Sequence, residues 1–138
     1  MANVEAQENN VNLVRTSLDL ARAGKFELAR PFFADDMIVY EAEGLPFGGV
    51  HRGWNAYMEV LKKLGQFWSP GRKQHSREFI PYGEDKVILH HTLDAHIAKN
   101  GQHVEMPIVV ICELRDGKIS SIRPFIFDTK KIADLAAM

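Results

Sequence analysis

Glu41 stands inside the short β-run Met37–Glu43, where an apolar strand would more cheaply carry another residue. Strand alternation puts Met37, Val39, Glu41 and Glu43 on one face and Ile38, Tyr40 and Ala42 on the other. Val39 must pack inward, and the shared parity carries Glu41 with it. A carboxylate in a partly buried cavity has a raised pKa, as a general base or acid near neutral pH requires. The competing reading is a twisted strand with Tyr40 inside and Glu41 in water. Glu43 shares the parity but falls at the rim, as a solvated carboxylate.

Histidines supply the second candidate group. His91 lies in register with Leu89, Leu93, Ala95 and Ile97, the face assigned to a cavity. A neutral imidazole there can relay a proton or hydrogen-bond a substrate carbonyl. The alternative is a core histidine satisfied by a neighbouring polar group. His90, Asp94 and His96 share the opposite face, with His103 on the next strand. Their spacing matches no zinc signature, so a hydrogen-bonded dimer surface is expected there and no metal site. Cys112, the only cysteine, sits in the apolar run IVVIC and reads as a small buried hydrophobe.

These groups need elements to hold them. Asn9 or Asn10 is placed to cap a first helix, whose buried stripe is Val11, Val14, Leu18 and Ala21, with Gly24 as its stop. A second helix over about Phe26–Phe33 buries Phe26, Ala29 and Phe33 and ends at Asp35-Asp36. After the β-run and a Gly-rich loop, Gly53–Phe67 makes a third helix with Tyr57, Val60, Leu61 and Leu64 as its apolar face. Beyond the loop SPGRKQ, the turn signals at Gly83, Asn100-Gly101 and Asp116-Gly117 divide a β-meander. Its strands are expected at about His75–Tyr82, Lys86–Ala98, His103–Arg115 and Lys118–Phe127. Asp128 then caps a short C-terminal helix. Met106–Cys112 is apolar on both faces, whereas a strand with one solvated face alternates. A second subunit is therefore expected on the outer sheet face, making a homodimer.

Bulk properties narrow the class. The chain has 138 residues, enough for one domain spanning 1–138 with a core that needs no disulfide. A net charge of −1 and the absence of Lys/Arg runs give no electrostatic reason to expect nucleic acid or an anionic membrane. No apolar stretch approaches a bilayer span. The polar, acidic opening MANVEAQENN is not a secretory signal, and a single cysteine fits a reducing cytoplasm. The Gly44–Gly49 loop matches neither phosphate-binding pattern, so no nucleotide cofactor is expected.

Several strings together resemble the nuclear transport factor 2-like superfamily, and within it the SnoaL-like (polyketide cyclase-like) group. They are Phe33-Ala34-Asp35-Asp36 with the β-run after it, the segment Leu45-Pro46-Phe47-Gly48-Gly49-Val50-His51-Arg52-Gly53, Asp116-Gly117-Lys118-Ile119, and Arg123-Pro124-Phe125-Ile126-Phe127-Asp128-Thr129. The resemblance implies an α+β fold: a cone-shaped, curved antiparallel sheet with three N-terminal helices packed on its concave side. It is also similar to ketosteroid isomerase, another member of the superfamily, whose general-base Asp falls on Glu41 when the strands are read without gaps. That enzyme's oxyanion-hole Tyr and protonated Asp fall near Ser17 and Val110, neither of which can donate the needed hydrogen bond, so steroid isomerisation is disfavoured.

The expected ligand is a small apolar carbonyl compound held in the cone. Glu41 would abstract a carbon-bound proton and His91 would polarise or reprotonate. Val39, Tyr57, Leu61, Trp68, Leu93, Val110, Ile122 and Ile126 would wall the pocket, with no cofactor needed. The alternatives are a binding protein without chemistry and a dimerisation module with a vestigial cavity.

Overall fold

The computed structural model describes residues 3–138. Its first helix, α1 (Val4–Arg22), starts earlier than the asparagines at 9 and 10 suggest, because the Asn3 side chain accepts from the Ala6 amide. A four-residue helix α2 (Phe26–Ala29) and a 3₁₀ turn (Arg30–Phe32) then lead directly into strand β1 (Phe33–Glu41). Pro31 supplies no amide hydrogen and ends the α-helical ladder early. Asp35 and Asp36 therefore lie inside β1 rather than capping a helix. They pair with Arg30 and Arg115. Phe26, expected in the core, is 38% exposed, because the short helix cannot turn it inward.

Strand β2 (Gly49–Arg52) occupies what the glycines suggest is only a loop, and it pairs antiparallel with β1. Helix α3 (Trp54–Phe67), strands β3 (Lys73–Tyr82), β4 (Lys86–His96), β5 (His103–Arg115) and β6 (Lys118–Ile126), and helix α4 (Thr129–Ala136) complete the chain. Asp128 caps α4 by accepting from the Lys131 amide at 2.9 Å. Asp116 and Gly117, with φ of 53° and 73°, make the tight β5–β6 turn.

The six strands form one curved sheet in the order β2-β1-β6-β5-β4-β3. The sheet is not wholly antiparallel, since β1 runs parallel to β6. That parallel pair closes the N-terminal strands onto the meander. Helices α1 and α3 cover the inner face, and α4 adds Ile132, fully buried, to the same layer. One apolar cluster gathers Val14, Phe33, Tyr57, Cys112 and Ile122. A second gathers Phe47, Trp68, Leu93, Met106 and Ile132, and Val110 touches both. No helix among the described residues is long and apolar enough to cross a membrane.

The β1–β2 connection is pinned by His51, whose Nε2 lies 3.1 Å from the carbonyl oxygens of Phe47 and Gly48. A Cβ on Gly48 would run into the Ala42 carbonyl and lie 2.8 Å from Glu43 Cα. The Gly48→Ala variant is therefore expected to lose about 1–3 kcal/mol in a denaturant titration, the usual cost of overpacking. Unchanged stability would show that this loop relaxes freely.

Candidate functional site

Strand register builds the site in ranks across the inner face. Val39 on β1 pairs with Ile122 on β6, Ile122 with Cys112 on β5, and Cys112 with Val87 on β4. One rank further along, Pro124 pairs with Val110 and Val110 with Leu89. The next rank is Ile126, Ile108 and His91. Glu41 lies two residues beyond Val39, so alternation keeps it on the same face. Tyr57, Leu61 and Leu64 descend from α3, and Trp68 follows at the helix end.

These residues enclose a cavity of two adjoining lobes. One, about 150 Å³, is lined by Val39, Glu41, Tyr57, Leu61, Val110 and Ile122, among others. The other, about 160 Å³, is lined by Glu41, Trp68, His91, Leu93, Val110 and Ile126. Glu41, Leu64, Arg72, Gln74, Val110 and Pro124 border both. The structure thus places all ten residues singled out in the sequence on the lining of these two adjoining lobes. Larger concavities occur on the surface, one between α1 and Pro81 and one beside Tyr40 and Phe125 that Glu41 also borders, but none of them includes His91.

Burial dominates the electrostatics. It raises the Glu41 carboxyl from its ordinary 4.5 to about 7, with the Arg72 charge opposing the rise. His91, 4% exposed, is lowered from 6.5 to about 4. Desolvation is the main cause; a backbone interaction with Thr92 opposes it, and the charges of Arg22, Arg77 and His90 add to it. Near neutral pH, His91 is therefore an uncharged imidazole lining the same lobe as a carboxyl poised to exchange its proton. Its Nδ1 is buried and has no hydrogen-bond partner. Cys112 is fully buried, and burial pushes its thiol up to about 12, which makes it inert as a nucleophile.

Sequence reasoning missed Arg22, Arg72 and Gln74. The segment SPGRKQ carried the signal for two of them, since a Pro-Gly turn feeding a strand aims the next side chains at the sheet end. A β-bulge between His75 and Glu78, with Ser76 at φ 54°, then shifts the strand's parity. Gln74 before it and Arg77 after it are both half-buried, while His75 and Ser76 are exposed. Two positions of opposite parity in the sequence thus share a side, which no alternation pattern predicts.

On the outer face, Asp94 accepts from His75 at 2.8 Å and His103 at 2.7 Å, and His96 stacks on His103 with ring centroids 4.7 Å apart. Asp94, His103 and Glu105 lie close enough to share a cation, and Asp94 is engaged by both His75 and His103. Glu43 is exposed in the loop after β1.

The sequence profile of the SnoaL-like domain matches residues 14–122. No curated protein matches the chain. Among solved structures, an NTF2-like protein from Burkholderia xenovorans LB400 superposes with a TM-score of 0.85 at 22% identity, over 94% of this chain and 97% of that one. TerC, co-crystallised with polyporic acid, gives 0.79 at 22% identity, over 94% and 99%. A protein from Xanthomonas campestris pv. campestris, provisionally described as a polyketide cyclase, gives 0.78 at 15% identity, over 95% and 98%. At these identities the likeness is one of fold.

Proposed function

Because the chain belongs to the SnoaL-like domain family, we propose that it binds a small apolar carbonyl compound and performs cofactor-independent acid–base chemistry on it. The reaction is of the isomerase, aldol-cyclase or dehydratase type. Its support is one juxtaposition: a desolvated carboxyl and a neutral imidazole with an unpartnered nitrogen border the same apolar lobe. Glu41, when ionised, removes a proton from carbon next to the carbonyl. His91 donates a hydrogen bond to the carbonyl oxygen as it gains charge, and Glu41 returns the proton or passes it on. Val39, Tyr57, Leu61, Trp68, Leu93, Val110, Ile122 and Ile126 hold the apolar body by shape. The neighbour co-crystallised with polyporic acid and the one described as a cyclase support a ligand-holding or cyclase-type domain.

Deuterium exchange tests the reading without knowledge of the natural substrate. A panel of small cyclic and aromatic ketones in D₂O is expected to contain members that exchange faster with the wild type than with Glu41→Gln. A panel in which no member distinguishes the two proteins would overturn it.

A second reading, a binding module without chemistry, is favoured by one specific observation. Ser17 is fully buried with its hydroxyl donating to the Val14 carbonyl, and Val110 is aliphatic, so neither adds an oxyanion donor. His91 alone must then carry that role.

The working unit in this proposal is a cytoplasmic homodimer joined through the outer sheet face. There Val50 and Phe125 are 50% and 52% exposed, beside the half-buried Val109 and Ile111. Light scattering is expected to give twice the 15.6 kDa chain mass, and Phe125→Glu to give a monomer. A wild type that stays monomeric across a concentration series would refute it.

A further inference from the structure

We infer that the mouth of the cavity holds a carboxylate, so that the compound taken is an amphipathic acid whose apolar body reaches inward to Glu41 and His91. This inference rests on the ligand-pocket reading above and adds the chemical class of the ligand.

Arg72 borders both inner lobes and also an outer groove of about 210 Å³ formed with Arg22, Leu64, Trp68 and the turn Ser69–Gly71. Arg22 borders the groove and the first lobe. The two arginines therefore stand where the outer groove passes into the cavity. Among the described residues, no carboxylate lies within 4.0 Å of either guanidinium. Asp19, the acid nearest in sequence, is bound to Arg77 at 2.8 Å, and Glu41 is too distant to form an ion pair. One Arg22 N–H donates to the Arg72 backbone carbonyl, which fixes the turn and leaves most of that guanidinium's donors free.

Such an arrangement is unfavourable in the empty protein. Burial is the main cause that lowers the pKa of both arginines; the Arg77 charge adds to it at Arg22 and the Arg22 charge at Arg72, with Asp19 and Glu41 opposing from beyond ion-pair distance. Arg72 is half-buried with no carboxylate in ion-pair contact, so it lacks the full compensation that proteins ordinarily provide for such a charge. A ligand carboxylate supplies it, through charge-assisted hydrogen bonds that the guanidinium fork matches in shape. The same contact orients the ligand, because its charged end stays at the mouth and its apolar end must enter between Leu64, Val110 and Trp68. The interior lobes have no such demand, since their remaining lining is mostly apolar.

The test compares 1-naphthoate with its neutral isostere 1-naphthamide by titration calorimetry. The wild type is expected to bind the acid more tightly by about tenfold or more, the effect of one charge-assisted hydrogen bond. Arg72→Gln keeps the backbone carbonyl that Arg22 uses and should abolish the preference while amide binding persists; Arg72→Lys should retain part of it. Glu41→Gln should lose ketone exchange yet keep the preference, which separates this inference from the catalytic one. Equal affinities in the wild type, or a preference that survives Arg72→Gln, would overturn the carboxylate site and leave the pocket reading standing. If neither compound binds, the pocket reading fails and this inference with it.

Discussion

The Glu41→Gln variant is expected to lose about 10²–10⁴-fold in turnover of any compound the wild type converts, the usual contribution of a positioned base. Glutamine keeps the shape and the polar contacts but cannot take a proton. The loss should fall on kcat with KM little changed, because the apolar walls that hold the ligand are untouched. The pH profile carries a second signature. Glu41 acts when ionised, so kcat/KM should rise through pH about 7. His91 is neutral at every pH above about 4, so it adds no alkaline limb to the profile. Turnover by Glu41→Gln within a few fold of the wild type would refute the assignment.

A substrate-free prediction has the next largest effect. Glu41 holds its proton more tightly when folded, so its contribution to stability falls as pH rises from 4.5 to about 7, by about 3 kcal/mol in all. His91 holds its proton less tightly when folded, so its contribution rises as pH rises from about 4 to 6.5, by a similar ~3 kcal/mol. Over the shared window the two slopes oppose each other and the wild type should be nearly indifferent to these groups. Removing one partner unmasks the other. Glu41→Gln should gain stability as pH rises from about 4 to 6.5, and should exceed the wild type by about 3 kcal/mol at pH 8. His91→Asn should lose stability as pH rises from 4.5 to about 7. Urea titrations across that range read both; parallel pH curves for all three proteins would mean that the cavity is wetter than its walls imply.

Much of this protein was legible in advance because local rules govern it. Period-two alternation alone carries Val39, Glu41, Leu89, His91 and Leu93 to one side of the sheet, and tertiary packing has no way to reverse it without inverting whole strands. The Asp116-Gly117 turn and the Asp128 cap are equally local, since each satisfies its own backbone within a few residues. The early stop of α2 at Pro31 was also written in the chain, though the aromatic run around it reads as helix. Strand β2 was hidden because Gly48 and Gly49 imitate a loop, while its pairing partner lies in another strand.

The chain alone thus specifies most of the elements, the family and the side of the sheet on which each candidate group stands, but not strand β2. The tertiary structure decided how these groups behave. Desolvation of Glu41 depends on walls contributed by α3, β5 and β6 together, and no stretch of chain contains that environment. The parallel β1–β6 pairing, which sets Glu41 beside Pro124 and Val110, joins strands about eighty residues apart. Arg22 and Arg72 meet at the cavity mouth from a helix end and a turn fifty residues apart, and the bulge at Ser76 brings Gln74 and Arg77 to one side. Charge and solvation are properties of a surrounding volume, whereas alternation, turns and caps are properties of the chain. Only the first kind had to wait for the fold.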